Sequence, residues 1–362
     1  MSFKCGLVGL PNVGKSTIFN SLTNLNALAE NFPFCTIKPN VGIILVSDNR
    51  LNIISNIVNS NCIIPTYIEL VDIAGLVQGA HKGEGLGNKF LSHIRQTDLI
   101  IHVVRGFKND RIIHIYGRIN PIDDIEIINL ELTLSDFEIC KNRINKLKKD
   151  HLLRKIIVDQ ELEILYRCLS CLQKNKFLKL LDLTIEEIFV IDHLKFITLK
   201  PMIYVVNVSR NSHNNVCIEN IYDLSKKQNA SVLVVFMDFF RGNFAKNDKS
   251  EKFKVLESDL EESGLSSIAA LGHKLLKLKT FFTAGKKEVR AWTTISGIEI
   301  FKSVRCIHTD LSKGFIRAQV ISYPDFIRYG GEKNSKKFGK MRIEGRQYHI
   351  HDGDIIHILH KI

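Results

Sequence analysis

Residues 9–16 read Gly9-Leu10-Pro11-Asn12-Val13-Gly14-Lys15-Ser16, a complete G-x-x-x-x-G-K-S. Residues 3–10 (Phe3-Lys4-Cys5-Gly6-Leu7-Val8-Gly9-Leu10) read as a buried strand that runs into this loop, and Ser16 to Leu25 reads as a helix. A glycine-bearing loop between a strand and a helix is the plan of a phosphate-binding loop. A chance match to the string is expected roughly once in a hundred chains of this length, and the fitting flanks lower that further. Glycines let the backbone bend close to phosphate, so successive N–H groups and the positive helix end face the anion. Lys15 is the cation expected at the β- and γ-phosphates, and the Ser16 hydroxyl is the expected magnesium ligand.

A loop of this kind needs a downstream carboxylate at a strand end to hold magnesium. Val71-Asp72-Ile73-Ala74-Gly75 supplies it, an apolar strand ending in Asp-x-x-Gly. Asp72 is expected to reach the metal through water, and the Gly75 N–H to sense the γ-phosphate. Between the two motifs lies Asn31-Phe32-Pro33-Phe34-Cys35-Thr36-Ile37-Lys38-Pro39-Asn40. A threonine in such a loop can close over the metal only while the γ-phosphate is present, which makes an order–disorder switch. Thr36 is the candidate.

Working outward, strand-like runs recur at 42–46, 66–73, 99–104, 202–208 and 232–236, most of them separated by helical or loop stretches. The alternation predicts an α/β fold with a mainly parallel sheet. Residues 129–200 break the rhythm: Leu162, Leu165, Leu169 and Leu172 have the spacing of a coiled-coil seam, so this stretch reads as a helical insertion. Residues 141–155 carry seven basic side chains and one acidic, which suits a solvated helix tip as well as an RNA contact. Residues 241–263 are polar and read as a linker, followed by a helix from about Leu265 to Leu278. The stretch 280–362 reads as a small basic domain rich in short strands, with turn signals such as Gly330-Gly331 and Asp352-Gly353-Asp354.

The 362 residues are enough for two or three modest domains, and 45% apolar with 24% charged content is ordinary for a globular chain. No run reaches the roughly 20 apolar residues of a membrane span, and the N-terminus makes a poor secretory signal. Of eight cysteines, Cys168 and Cys171 form a C-x-x-C without a second pair at zinc spacing, so they read as two cysteines on one helix face. A reduced, cytoplasmic protein is expected. Net charge is +12, and residues 278–362 hold 16 Lys or Arg against 8 Asp or Glu. Charge concentrated in this way suggests a polyanionic partner.

The segment NFPFCTIKPN, the DIAGL motif and the glycine-rich tail Gly79-Ala80-His81-Lys82-Gly83-Glu84-Gly85-Leu86-Gly87-Asn88-Lys89-Phe90-Leu91 resemble the Obg-related GTPases. Over essentially its whole length the chain resembles the YchF / Obg-like ATPase subfamily. Its end resembles a TGS domain, on TFFTAGKKEVRAWT at 280–293 and IHTDLSKGFIRAQ at 307–319. The resemblance implies an Obg-type G domain over 1–128 and 201–277, a helical coiled-coil insertion over 129–200 and a β-grasp TGS domain over 278–362. It implies nucleotide contacts from Asn12, Val13, Gly14, Lys15, Ser16, Thr17, Gly75, Asn207 and Val208, and magnesium held by Ser16, Thr36 and Asp72. It implies ATP preferred over GTP, and a potassium ion at Asn12. Expected partners are ATP, the ribosome and its large subunit, and ribosomal RNA; no membrane partner is expected, and a monomer is. Ras-like enzymes carry a glutamine after Asp-x-x-Gly to orient the attacking water; here Leu76 stands there, and His114 is the substitute that the resemblance implies.

Two departures bear on base choice. After the strand 202–208 the subfamily has a glutamate where Arg210 stands. A donor-only guanidinium cannot accept from guanine's donor edge, which argues against GTP selectivity, nor from the adenine amino group, which weakens ATP selectivity. After the strand 232–236, Met237-Asp238-Phe239 replaces the small residues usual beneath the base. The expected function is a slow magnesium-dependent ATPase that binds ribosomes and switches with its nucleotide in translation or stress response. The alternative is a ribosome-associated RNA-binding module with vestigial hydrolysis. A metabolic P-loop kinase lacks an evident acceptor pocket, and a conventional GTPase is opposed by Arg210.

Overall fold

The computed structural model describes residues 3–24, 40–46, 48–73, 79, 86–108, 112–150, 155–208, 218–236, 253–254 and 265–361. Its strands are β1 (Phe3–Val8), β2 (Val41–Val46), β3 (Ile63–Ile64), β4 (Thr66–Asp72), β5 (Leu99–Arg105), β6 (Met202–Val208), β7 (Ser231–Phe236), β8 (Phe253–Lys254), β9 (Leu278–Ala284), β10 (Val289–Ile295), β11 (Phe315–Ile321), β12 (Arg342–Glu344) and β13 (Ile355–His360). Its helices are α1 (Lys15–Asn24), α2 (Asn49–Val58), α3 (Leu86–Arg95), α4 (Pro121–Asp150), α5 (Lys155–Gln173), α6 (Ile185–Ile191), α7 (Ile218–Lys227), α8 (Leu265–Leu275), α9 (Ile300–Ser303), α10 (Thr309–Lys313), α11 (Tyr323–Arg328) and α12 (Glu332–Lys337).

The strand-like runs of the sequence all form strands of one sheet, ordered β2-β4-β1-β5-β6-β7-β8. β1, β5, β6 and β7 are parallel neighbours, and β8 closes the edge antiparallel. β5 and β6 are buried at every residue, so they read as continuous apolar runs rather than alternating ones. Because β1, β5 and β6 run the same way, Val8, Arg105 and Asn207 all lie at carboxyl ends, where open α/β sheets bind ligands.

α4 and α5 make an antiparallel hairpin whose core contains Cys140, Ile144, Leu147, Leu165, Cys168 and Leu172, with Leu162 and Leu169 packed against it. The leucine seam is therefore real. Cys168 is a buried free thiol and Cys171 a partly exposed one. Arg143 clasps Glu161 across the hairpin at 2.7 and 2.9 Å. The α4 helix begins at Pro121, with Asp123 and Asp124 in a first turn whose dipole favours acidic side chains.

By contacts the chain divides into one unit of residues 4–42 and 70–267 and another of residues 1–3, 43–69 and 268–362. In the second, a sheet runs β12-β11-β13-β9-β10-β3, with β13 parallel to β9 and β9-β10 and β11-β13 antiparallel, a β-grasp arrangement. β3, from far upstream, pairs with β10 through Val289↔Ile63 and Arg290↔Ile64. α2 buries Leu51 and Ile54 against Phe282, Val289, Ala291 and Phe326. Asp48 caps α2 and also grips Arg50, which reaches Asp352 at 2.6 Å. No local pattern announces that 43–69 belongs with 268–362. Among the described residues no helix is long and apolar enough to cross a membrane.

Candidate functional site

The loop from Gly9 to Ser16 takes a path that its glycines permit. Gly9 has φ +150, and a Cβ there would lie 2.5 Å from the Val103 carbonyl oxygen in β5. Gly14 has φ +101. Both conformations are open to glycine and costly to other residues. Asn12 is left-handed at φ 61, a region that asparagine tolerates.

Lys15, the first residue of α1, is buried, and its Nζ donates to the carbonyl oxygens of Gly9 at 3.0 Å and Leu10 at 2.7 Å. Burial pulls its pKa down to about 8, with the nearby Asp72 charge acting the other way. Carbonyl dipoles satisfy the donors without neutralising the charge, so the ammonium remains a ready partner for an anion. Ser16 Oγ donates to Asp72 Oδ2 at 3.4 Å. The strand β4 sets Asp72 in place, its backbone N–H donating to Asn40 O at 2.8 Å. Asp72 Oδ1 is buried and has no hydrogen-bond partner among the described residues. An orphaned carboxylate oxygen beside a hydroxyl is costly alone and fits a hard divalent cation that takes oxygen ligands. Magnesium is therefore chemically suited to Ser16 and Asp72.

From the other side, Asn207 at the end of β6 donates through Nδ2 to Val13 O at 3.0 Å, and Gly106 N–H donates to Asn207 O at 2.7 Å. Asn207 Oδ1 is buried without a partner among the described residues. Asn207 thus fastens the loop to the sheet through the buried Val13. Val208 beside it is buried, and Thr17 lies in the first turn of α1.

Asn12 Nδ2 donates to Ile113 O at 3.2 Å, tying the loop to the segment that carries His114. The His114 side chain is almost fully buried. Its Nε2 lies 2.9 Å from Asp124 Oδ2, and Tyr116 N–H donates to its Nδ1 at 3.3 Å. That leaves Nε2 as the nitrogen that donates to Asp124. Desolvation raises the Asp124 pKa, and His114 is the strongest group acting to lower it. Arg105, at the end of β5, is wholly buried and donates to Ile112 O at 3.0 Å and Phe107 O at 3.2 Å.

The fold brings together Asn12, Val13, Gly14, Lys15, Ser16, Asp72 and Asn207, and links His114 to them through Asn12. Thr36, Gly75, Arg210 and Met237-Asp238-Phe239 lie outside the described residues. Asp124 and Arg105 were missed in the sequence reading. Asp124 sits in no motif, and its one signal is a carboxylate in the first turn of a long helix, ten residues beyond His114.

A family profile described as 50S ribosome-binding GTPase matches residues 4–137. The YchF GTPase C-terminal profile, described as a protein of unknown function, matches residues 278–361. The chain is 56% identical over 365 residues to the ribosome-binding ATPase YchF of Buchnera aphidicola subsp. Baizongia pistaciae, covering 100% of both chains. It is 47% identical over 364 residues to the protein of the same name from Escherichia coli O157:H7, again covering 100% of both. The solved YchF GTPase of Schizosaccharomyces pombe superposes with a TM-score of 0.83 at 30% identity, covering 99% of this chain and 98% of that one. With a phosphate-binding loop, a sheet-end carboxylate and this likeness along its full length, the chain belongs to the YchF family of P-loop nucleoside triphosphatases.

Proposed function

We propose that this protein is a magnesium-dependent ATPase that binds the ribosome through its large subunit and acts as a nucleotide-dependent switch in translation or stress response, in the cytoplasm and as a monomer. The observation that carries this is the Lys15 ammonium drawn onto the loop beside Ser16 and Asp72, whose Oδ1 lacks a partner among the described residues. The names of the bacterial relatives support ATP and the ribosome as ligands. In this reading 1–128 and 201–277 carry the G domain, 129–200 the helical insertion and 278–362 the TGS domain, except that α2 and β3, inside 1–128, pack with the last of these.

Ser16 and Asp72, with Thr36, hold magnesium, which when bound withdraws charge from the phosphate oxygens. The loop N–H groups and Lys15 orient the β- and γ-phosphates, and Gly75 reads the γ-phosphate. Asn12 offers its amide oxygen to a potassium ion, since its nitrogen is committed to Ile113 O. His114 takes the water-orienting part that Leu76 cannot. Arg210 gives ATP only a weakened preference over GTP.

A second reading, a ribosome-associated RNA-binding module with vestigial hydrolysis, is favoured by one observation: both ring nitrogens of His114 are engaged. Phosphate release from ATP and from GTP, with and without large ribosomal subunits, separates the two. The ATPase reading expects slow hydrolysis alone, faster hydrolysis with subunits, and loss of the stimulated rate in His114→Ala. Equal background rates in every case would establish the module, and GTP bound tenfold or more tightly than ATP would overturn the base assignment.

A further inference from the structure

The β-grasp unit carries an exposed aromatic stack set among lysines. α11 and α12 are joined by Tyr329-Gly330-Gly331, where Gly330 and Gly331 have φ of +67 and +109. Gly339, at φ +69, ends α12. These reversals bring the Phe338 ring onto the Tyr329 ring, with centroids 4.9 Å apart and planes 28° from parallel. The inner side of this helix pair is closed by Phe326 and Ser335, both fully buried, with Ser335 Oγ donating to Gly331 O at 2.9 Å. Phe338 itself is 60% exposed. Stacking covers one face of its ring, and that exposure leaves the other toward solvent.

The surroundings are basic. Between 328 and 346 there are seven Lys or Arg and two Glu. Lys336, Lys337 and Lys340 are exposed, and among the described residues none of them pairs with a carboxylate. Arg342 and Arg346, by contrast, are engaged, Arg342 with the Tyr348 hydroxyl and Arg346 with Phe315 O. Arg328 lies over the Tyr329 ring, 5.8 Å from its centroid. A fixed flat ring with one free face, flanked by free ammonium groups at chain spacing, matches an unpaired nucleobase with its phosphates on either side. Lysines alone would suit any polyanion. The stacked ring is what selects a flat partner, since an acidic peptide has no planar group to continue the stack.

We infer that Tyr329 and Phe338, with Lys336, Lys337 and Lys340, form a docking surface for single-stranded RNA. One unpaired base extends the aromatic stack, and its neighbouring phosphates meet the lysines. The source of that RNA rests on the ribosome-binding reading above; the surface itself does not.

The test uses the full-length protein and a fluorescein-labelled unstructured RNA oligomer of about ten nucleotides, the site size of such surfaces. Phe338→Ala should bind about tenfold more weakly, and Phe338→Trp at least as tightly as the parent. Lys336→Glu with Lys337→Glu should weaken binding and flatten its dependence on salt, because fewer counterions are released. An RNA duplex should bind without regard to residue 338. Equal binding by the parent and Phe338→Ala overturns the inference. So does Phe338→Leu binding like the parent, which makes the contact merely apolar, or an equal loss in Phe338→Ala toward polyglutamate or phosphatidylserine vesicles. Sedimentation of the same variants with ribosomes keeps the two ideas apart. If the parent sediments with ribosomes but no RNA binding depends on Phe338, this surface fails alone. If the oligomer shows the Phe338 dependence but the parent ignores ribosomes, the ribosome reading fails alone.

Discussion

His114 and Asp124 face each other with Nε2 to Oδ2 at 2.9 Å, both side chains almost fully buried, and Asp124 belongs to the first turn of the helix that builds the long hairpin. A histidine held in this way cannot also touch a water at the phosphate; it must first leave Asp124. Weakening the pair should therefore release it. In Asp124→Asn the amide oxygen still accepts from Nε2, but without the charge, a difference of about 1 kcal/mol. Ribosome-free ATP hydrolysis should rise about fivefold for that difference. It should not rise in a variant that also carries His114→Ala. A fall in rate in Asp124→Asn alone would instead mean that the pair holds the working arrangement.

Lys15 titrates at about 8 in this structure because burial disfavours its charge. The triphosphate needs the ammonium, so above that pH every binding event must take up a proton. Affinity for a non-hydrolysable ATP analogue should therefore fall as pH rises through about 8, approaching tenfold per unit. Fluorescence titrations across that range would show it. Calorimetry in buffers of different ionisation enthalpy would show the proton taken up on the alkaline side.

Asn207 donates through Nδ2 to Val13 O and so holds the phosphate loop to the end of β6. Asn207→Ala should cost about 1–2 kcal/mol, since the Val13 carbonyl loses its donor. The loss should be alike for ATP and for inorganic triphosphate, which has no base. A loss confined to ATP would assign Asn207 to base recognition.

Ile54 is fully buried among Phe282, Val289 and Phe326. Ile54→Ala should destabilise the fold by about 2–5 kcal/mol. The neighbouring Ile53, 42% exposed, should tolerate the same change within about 0.5 kcal/mol. Denaturant unfolding followed by Trp292 fluorescence reports on the unit that contains both.

The phosphate loop, the Asp72 carboxylate beside it and the strands that carry them were legible because each depends on near neighbours in sequence. A strand needs a local apolar run, and the loop needs glycine at 9 and 14 for its own backbone. The leucine seam at 162–172 was legible for the same reason, helical spacing being local. What escaped depends on distant partners. Nothing within 43–69 tells that Ile63 pairs with Val289 or that Leu51 packs with Phe282. The helices α9 to α12 are four to six residues long and sit in a stretch read as short strands; helices so short leave too few turns for a period to show. Asp124 was invisible because a first-turn carboxylate is ordinary on any helix, and only the fold puts His114 beside it.

The pairing of β3 with β10 makes two parts of a nascent chain that are made more than 200 residues apart mutually dependent. A polypeptide still lacking residues after 267 lacks Phe282, Val289 and Phe326, on which Leu51 and Ile54 close, so these side chains stay wet, and available to chaperones or to aggregation, until those residues have been made. For the same reason an isolated fragment 268–362 is born without the strand that borders its sheet, and excising it for separate study removes part of its own interior.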